Sequence, residues 1–292
     1  MLQVLTLSPA TEGYRVIRPV EMPLGALILG RPVEEVVALL PRLFNLCRVA
    51  QGTAAQLSLG LSGGPDAAAL AGEVLRDHLL RLAVTLPPLM GLPVRGIAGD
   101  PLAVLFGPGR GLSVDLMGLR VWMAAGEGAA SLVAAVAREF APGEAAVDLP
   151  FVEAATALSL VPVENSAAAR QAGHPLLRAV AARQGRGPLW RVLGMLADAE
   201  AAVAGRLPAP WVAGGVARVA AARGTYALRL CQAGGMVTRI DRVTPTDHLL
   251  VPGGALERAL SALPVAKRHL APVVAALHDP CMAVKVEGMR HA

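Results

Sequence analysis

The chain has 292 residues, of which 54% are hydrophobic, 17% charged and only 3% aromatic, and its formal net charge is +5. This composition is too apolar for a disordered chain, and the scattered arginines lack the basic stripe typical of nucleic-acid-binding proteins, so we expect no nucleic-acid partner. The three cysteines, Cys47, Cys231 and Cys281, are too few for a disulfide scaffold, a four-cysteine zinc site or an iron–sulfur centre built from one chain.

The first half of the chain is predicted to be mainly helical after a short strand pair. Alternation of apolar and polar residues predicts a strand over 2–7, with residues 14–18 as its partner. Asp66 is a good N-cap for a following helix, and Pro87 marks the end of that helix. Residues 91–116 are rich in Gly and Pro and are predicted to be irregular. Apolar residues at helical spacing predict helices over 34–43, 54–61, 67–85, 128–140 and 152–158.

The second half combines a long helix with a hairpin. A helix is predicted over 189–204, with an apolar face of Val192, Leu196, Ala199 and Val203. Segments 225–233 and 236–243 alternate and are separated by two glycines, which predicts a β-hairpin. Two more helices are predicted over 253–263 and 265–277. No linker divides the chain, so we expect a single domain over 1–292, mainly α with small antiparallel β elements.

The sequence shows no signal for a membrane or for export. No stretch of 18 residues is free of both charges and Pro/Gly breakers, which predicts no membrane insertion. The start lacks a basic segment followed by an apolar one, so we expect a cytoplasmic protein with reduced thiols.

A hydrolase-type signature, G-x-S-x-G, occurs around Ser62. In a hydrolase this serine stands on a strained turn between a strand and a helix. Here the preceding residues are predicted to be helical and Pro65 follows at once, so a loop that ends a helix is the favoured interpretation. The histidines form no H-E-x-x-H pair, and each is interpreted as structural.

Two cysteine-containing segments, residues 41–51 and residues 278–287, stand near the two ends of the chain. They resemble the two metal-binding segments of the large subunit of nickel–iron hydrogenases, which read R-x-C-G-x-C-x-x-x-H and D-P-C-x-x-C-x-x-H. In that family four thiolates hold nickel, and two of them bridge to an iron that carries cyanide and carbon monoxide. The resemblance implies a shortened large-subunit-like fold.

The departures from the family pattern bear on function. Each segment keeps one cysteine, Cys47 and Cys281, while Phe44 and Val284 stand at the other two thiolate positions. Because neither of these side chains can bind a metal, we expect no stable nickel. A single metal held by two thiolates, with small molecules as its other ligands, stays possible.

Further elements agree with the same resemblance. Arg223 with its following glycine resembles the E-A-x-R-G element, whose arginine lies over the metal ligands. Pro245 and Thr246 resemble the start of the P-T-x-W-N-x-x-P element, in which His248 replaces the tryptophan. At the end of the chain Glu287 stands at the position of the histidine after which a hydrogenase precursor is processed. We therefore expect no such processing step.

This combination is similar to the hydrogenase accessory proteins called HupK or HoxV, which look like shortened large subunits that lack part of the ligand set. The resemblance implies no catalytic residues and a role in assembling the Fe(CN)2CO unit. Cys47 and Cys281 would hold the unit transiently, between the HypC/HypD scaffold complex and the hydrogenase large-subunit precursor. Arg223 would donate hydrogen bonds to the cyanide nitrogens.

Other interpretations stay open from the sequence. The chain could be a metal-free structural mimic of the large subunit that binds maturation proteins. It could also be a small enzyme, either a degenerate hydrogenase subunit or a hydrolase that uses Ser62. Cys231 lies on a predicted hairpin strand, matches no ligand of the family and is expected to be inert.

Overall fold

The computed structural model describes residues 4–10, 13–20, 22–44, 46–61, 66–109 and 111–287. The described chain is mainly α-helical with two small sheets, which confirms the predicted secondary-structure class. The strands are β1 (Val4–Ala10), β2 (Gly13–Ile17), β3 (Trp211–Ala213), β4 (Val216–Ala221), β5 (Gly224–Ala233), β6 (Met236–Val243) and β7 (Ala283–Val286). The helices are α1 (Leu24–Ile28), α2 (Val33–Leu43), α3 (Arg48–Ser58), α4 (Ala67–Leu80), α5 (Leu86–Leu89), α6 (Pro101–Phe106), α7 (Leu116–Ala125), α8 (Ala130–Glu139), α9 (Ala167–Arg170), α10 (Pro175–Gln184), α11 (Pro188–Val203), α12 (Pro245–Leu250), α13 (Ala255–Ser261) and α14 (Ala271–His278), with a π-helical turn (Arg81–Thr85) between α4 and α5 and a 3-10 helix (Val265–Leu270) before α14.

The first sheet joins the two ends of the described chain. Its strand order is β2-β1-β7. Strand β1 pairs antiparallel with β2, as predicted, and parallel with β7, where Val4 lies opposite Ala283 and Leu7 opposite Val286. The sequence does not predict this parallel pairing, because β7 has only four residues and its partner lies far away along the chain. The pairing holds the segment that follows Cys281 against the start of the chain.

The second sheet has the order β3-β4-β5-β6 and is antiparallel throughout. It contains the predicted hairpin, β5–β6, which turns at Gly234 and Gly235, both at positive φ. Two consecutive residues at positive φ are typical of the tightest hairpin turns. The sheet packs against α2 and α3 in a core cluster whose buried members include Val36, Leu40, Ala54, Val219 and Leu228.

Helix α11 runs through the centre of the larger core. It confirms the predicted long helix but is buried on nearly every side from Pro188 to Ala202, because it contacts α4, α8, α9, α10 and α14. The buried surface of α11 is therefore wider than the predicted apolar face. Val203, which was placed on that face, is 43% exposed at the helix end, so that part of the prediction is wrong.

Several predicted boundaries are also wrong. Residues 152–158 form turns instead of a helix, since Phe151 pairs with Glu164 in an isolated β-bridge. Helix α3 begins at Arg48, before the predicted 54–61, and the region 91–116 contains helix α6. The helical path predicted over 67–85 continues through α5. The prolines at the first positions of α5 do not end it, because a first helical turn tolerates proline.

The cap predicted for the fourth helix is confirmed, because the Asp66 carboxylate accepts a hydrogen bond from the Ala69 amide at 2.9 Å. The hydrolase-type signature cannot be placed in the same way, since Ser62 lies outside the described residues.

Across the described ranges, we find no single helix that is both long and apolar enough to cross a membrane. Two sharply bent helix pairs meet the length and composition criteria together, Leu116–Ala125 with Ala130–Glu139 and Pro245–Ser261 with Val265–His278.

A buried ion pair links the helical core to the second sheet. The Asp198 carboxylate in α11 accepts hydrogen bonds from Arg170 Nε and His78 Nε2, each at 2.8 Å. Arg170 also donates to the carbonyl oxygens of Ala221 and Gly224, each at 3.0 Å. Because these two carbonyls flank the turn between β4 and β5, the ion pair fixes that turn to α9 and α11.

Helices α9 and α11 approach closely at Gly194. A Cβ on Gly194 would lie 2.2 Å from the Cβ of Ala168 and 2.4 Å from its Cα. We therefore expect Gly194→Ala to lower the free energy of unfolding by about 1–3 kcal/mol, measured by urea denaturation. The matched control is Gly72→Ala on the exposed side of α4, where nothing lies within 4 Å. In this control the higher helix propensity of alanine should raise the free energy of unfolding by up to about 1 kcal/mol. Equal effects of the two substitutions would contradict the close approach of α9 and α11.

The Asp198 ion pair makes stability depend on pH. Burial raises the pKa of this carboxyl, but Arg170 and His78 outweigh burial and hold the pKa below its ordinary value of 3.8. A lowered folded-state pKa stabilises the fold above the unfolded pKa, and this contribution is lost as the pH falls below about 4.

We expect Asp198→Asn to lower the free energy of unfolding by about 3–5 kcal/mol near neutral pH, measured by urea denaturation. Repeated at several pH values, the measurement should show a flatter acid limb, that is, a smaller loss of stability as the pH falls below about 4. Asp148 serves as the control, since its exposed side chain pairs with Arg186 at the surface. Asp148→Asn should change the free energy by less than about 1 kcal/mol at every pH. An unchanged acid limb in Asp198→Asn would show that folding does not lower the pKa of this carboxyl.

Candidate functional site

An open cleft of about 910 Å³ lies where the ends of α2 and β6, the starts of α3 and α12, and the chain before β7 meet. The structure brings all three predicted site residues together here, because Cys47, Cys281 and Arg223 line the cleft. The two cysteines come from opposite ends of the described chain. Cys231 lies in β5 and is not part of this lining.

The lining of the cleft carries an excess of positive charge. Within the described part of the chain, Arg18, Arg81, Arg223 and Arg242 line it, against one carboxylate, Asp247. A cleft lined by one sign of charge raises the local concentration of ligands of the other sign. The cleft is therefore suited to an anionic or electron-rich ligand.

Cys47 is the N-cap residue of α3 and is partly buried. Gln51, one helical turn further on, directs its Nε2 to the Cys47 Sγ at 3.5 Å. The Glu73 carboxylate of α4 accepts hydrogen bonds from the backbone amides of Val49 at 2.7 Å and Ala50 at 3.1 Å. Amides at a helix start otherwise lack partners, so Glu73 fixes the helix end that carries Cys47.

The surroundings of Cys47 favour its protonated form. Burial raises the pKa of this thiol, and the charges of Cys281 and Glu73 act in the same direction. The hydrogen bond from Gln51 and the positive charge of Arg242 oppose the rise without cancelling it. Since only the thiolate binds metal, loading of this residue requires the loss of a proton.

Cys281 is positioned by the end of α14 and the start of α12. Asp279 ends α14 in the left-handed region at φ 51°, which an aspartate tolerates better than most side chains. The Cys281 amide then donates a hydrogen bond to Thr246 Oγ1 at 3.0 Å. Helix α12 is itself fixed by a capping box between Thr244 and Asp247. The Pro-Thr element identified in the sequence thus holds the backbone of Cys281.

Arg223 lies buried beneath the two cysteines, in the turn between β4 and β5. Its guanidinium lies 3.0 Å from Asp77 Oδ2 in α4, and its Nε lies 3.4 Å from Asp279 Oδ1 without hydrogen-bond geometry. Arg81 also pairs with Asp279. Burial lowers the pKa of Arg223, but Asp279, Asp77 and the two cysteines together raise it. The residue is therefore a fixed cation.

The glycine after Arg223 has a steric role. A Cβ on Gly224 would lie 2.5 Å from Asn165 Oδ1 and 2.7 Å from the Asn165 carbonyl oxygen. Asn165 in turn binds the backbone of Thr225 through both ends of its amide and donates to His248 Nδ1 at 3.0 Å. A glycine at position 224 is thus required by the close approach of Asn165 to this turn.

Sequence reasoning missed Arg242, which also faces the cleft. Its guanidinium carbon lies 4.3 Å from the ring centroid of Phe44 and 5.6 Å from that of Tyr226. Phe44 and Val284, the two positions without a thiol, line the same cleft. No sequence motif marks Arg242; it is distinguished by the register of β6 against β5, which sets it opposite the buried Leu228.

The described residues contain no group of three or more His, Cys, Asp or Glu side chains arranged to hold a metal ion. The histidines nearest the cleft are engaged elsewhere. His248 Nε2 donates to the Ser159 carbonyl at 2.9 Å, and His278 Nδ1 donates to the Val274 carbonyl at 2.8 Å. Burial lowers the pKa of both imidazoles, so they are neutral and structural. Among the described residues that line the cleft, the groups able to bind a metal are the thiols of Cys47 and Cys281 and the Asp247 carboxylate, which is already held by Thr244. Arginine N–H groups add hydrogen-bond donors beside them.

The fold resembles that of a hydrogenase. A solved structure of an NAD+-reducing [NiFe]-hydrogenase in the H2-reduced state superposes with a TM-score of 0.51 at 18% identity, covering 92% of each chain. This likeness confirms the predicted large-subunit-like fold. The class of protein is therefore one built on the nickel–iron hydrogenase scaffold.

Within that class the sequence defines the family. No protein-family model matches the chain. Over 281 residues the chain is 46% identical to the hydrogenase expression/formation protein HupK of Rhodobacter capsulatus. The alignment covers 94% of this chain and 92% of that protein. The chain therefore belongs to the HupK family, as the two cysteine segments predicted.

The hydrogen bond from the Cys281 amide to Thr246 is directly testable. We expect Thr246→Val, which keeps the shape but removes the acceptor, to speed hydrogen exchange of the Cys281 amide about fivefold. Thr246→Ser keeps the acceptor and should retain the protection. Exchange can be followed by mass spectrometry or NMR, and equal protection in all three proteins would show that Thr246 does not hold this segment.

Proposed function

We propose that this chain is a hydrogenase maturation factor of the cytoplasm that carries an iron unit and catalyses no reaction. Cys47 and Cys281 hold the Fe(CN)2CO unit transiently after it leaves a HypC/HypD-type scaffold complex. The unit is then delivered to the hydrogenase large-subunit precursor. The observation that carries this proposal is the convergence of two thiols from opposite ends of the chain on one cleft, beside a buried arginine.

The donor set fits such a cargo. Thiolates are soft ligands that suit iron, and cyanide and carbon monoxide supply the remaining ligands. Arg223 offers N–H donors in a rigid fork, and its Nε lacks a hydrogen-bond partner within the described residues. Such donors can bind the cyanide nitrogens while Asp77 and Asp279 keep the guanidinium in place.

Two features favour release of the cargo. With apolar side chains at Phe44 and Val284, the protein supplies two metal–sulfur bonds instead of four. The raised pKa of Cys47 also means that a proton leaves the thiol on loading and returns to the sulfur when iron departs. Protonation thus competes with iron and lowers the stability of the loaded state.

The rim of the cleft supports docking of other proteins. Four large apolar side chains that line the cleft are at least one third exposed, namely Met22, Leu46, Leu89 and Leu160. Exposed apolar groups gathered around one cleft are typical of protein interaction sites. We assign this rim to the scaffold complex that supplies the unit and to the large-subunit precursor that receives it.

A metal-free mimic of the large subunit is the second candidate function. It is favoured by the hydrogenase-like fold together with the loss of two thiolate positions. In that case the chain binds maturation proteins through its rim, and the cysteines are dispensable. A degenerate hydrogenase is disfavoured, because Phe44 and Val284 cannot bind nickel.

An infrared experiment separates carrier from mimic. We expect the protein purified from maturation-competent cells to contain iron and to show cyanide and carbonyl stretching bands. Cys47→Ala and Cys281→Ala should each abolish the bands and prevent hydrogenase maturation in air, because a single remaining thiolate binds the iron unit too weakly. Cys231→Ala, outside the cleft, is the matched control and should retain both properties. Absence of iron and bands from the wild-type protein, with normal maturation in the cysteine variants, would favour the mimic.

A further inference from the structure

Arg242 occupies an unusual place for a charged residue. The register of the second sheet sets it opposite Leu228, which is fully buried. Directly opposed residues of antiparallel strands point to the same face of a sheet. Arg242 therefore points to the side covered by helices, where its guanidinium lies over the ring of Phe44 at 4.3 Å and borders the cleft beside Cys47.

The charge of Arg242 is not matched by a carboxylate. Across the ranges that the structure describes, it forms no ion pair, and its buried Nε has no hydrogen-bond partner. The acid of the cleft, Asp247, is occupied by the Thr244 amide at 2.7 Å and the Thr244 hydroxyl at 2.8 Å. On the same strand, by contrast, Arg239 is 59% exposed and pairs with Asp241.

Arg242 is partly buried, and removing a cation from water without a counter-charge is costly unless a ligand supplies that charge. Aromatic faces compensate only part of this cost. The Phe44 and Tyr226 rings therefore hold the guanidinium in place at the lining of the cleft but do not neutralise its charge.

We propose that Arg242 is an anion-binding residue that receives a cyanide ligand of the iron unit on the Cys47 side of the cleft. This inference rests on the proposed cargo, an iron that bears cyanide, and it adds a recognition residue to that site. Arg223 contacts the cargo from the turn between β4 and β5. Arg242 contacts it from the end of β6, beside Phe44, where the family pattern has a metal-binding thiolate.

Charge balance supports a second guanidinium. Ferrous iron with two cyanides is neutral, so two bound thiolates give the loaded site two negative charges. Arg223 is already paired with Asp77 and Asp279 and adds little net positive charge. Among the described residues Arg242 has no ion-pair partner, so it brings a positive charge to the cleft, and its guanidinium can form charge-assisted hydrogen bonds with an anionic ligand.

The test uses hexacyanoferrate(II), an inert iron–cyanide anion that cannot exchange its ligands for thiolates. It is titrated into the full-length chain by calorimetry at about 0.1 M salt, where interactions between exposed charges more than about 10 Å apart are largely screened. We expect one saturable site whose affinity falls at least about tenfold in Arg242→Gln, since a charge-assisted hydrogen bond and a charge are lost. Arg242→Lys keeps the charge but not the fork, and it should lose affinity to a smaller extent.

The matched control is Arg239→Gln, which removes an arginine from the same strand outside the cleft and should change the affinity less than about twofold. Circular dichroism verifies that the variants fold, and if Arg242→Gln does not fold, Arg242→Lys decides the question. Wild-type affinity in the Arg242 variants, an equal loss in Arg239→Gln, or no binding by the wild-type chain would each overturn the proposal.

A further variant separates this inference from the carrier function. Cys47→Ser with Cys281→Ser removes both proposed iron ligands but should leave hexacyanoferrate(II) binding intact. If the infrared bands are absent from the wild-type protein while the anion binds through Arg242, the carrier proposal fails and the anion site stands. If the bands are present but Arg242→Gln neither shifts them nor weakens anion binding, the carrier stands and Arg242 has no part in it.

Discussion

The ion pair between Arg170 and Asp198 is the constraint on which the cleft depends. The Asp198 carboxylate is fully buried, and the Arg170 guanidinium also holds the two carbonyl groups that flank the turn between β4 and β5. A buried carboxylate without its arginine would be strongly destabilising, so helices and sheet cannot separate at this point without a large cost. The turn places Arg223, and Arg223 contacts acids on α4 and at the end of α14. One internal ion pair thus orders a charge network that ends beside Cys281.

The parts of the fold that follow local rules were predictable from the sequence. The hairpin with its two glycines, the cap at Asp66 and the long helix α11 depend on turn chemistry and periodicity over a few residues. The rest depends on distant contacts. Residues 152–158 have the composition of a helix, but pairing of the neighbouring chain with Glu164 prevents it. Strand β7 carries too few residues to be recognised without its partner.

The candidate site likewise combines residues that can be found from the sequence with one that only the folded structure shows. The two cysteine segments and Arg223 are visible as ordered motifs, so a resemblance to a known family finds them. Arg242 belongs to no motif, and in the sequence it cannot be told from Arg239, which lies three residues earlier. Only the register of β5 and β6 distinguishes them, because it turns one guanidinium to the helices and leaves the other at the surface. Strand register is a property of the folded sheet rather than of the local composition.

The parallel pairing of β1 with β7 determines when, during folding, the two cysteine segments come together. Closing a contact between the first and last strands costs more chain entropy than any local pairing, so it forms late in folding. A nascent chain exposes Cys47 and its helix long before Cys281 has been synthesised. Until the last strand docks, the segment that carries Cys281 is not held beside Cys47, so the two thiols converge on the cleft only in the closed fold. Closure of this small sheet therefore completes the cleft only after the end of β7 has been synthesised.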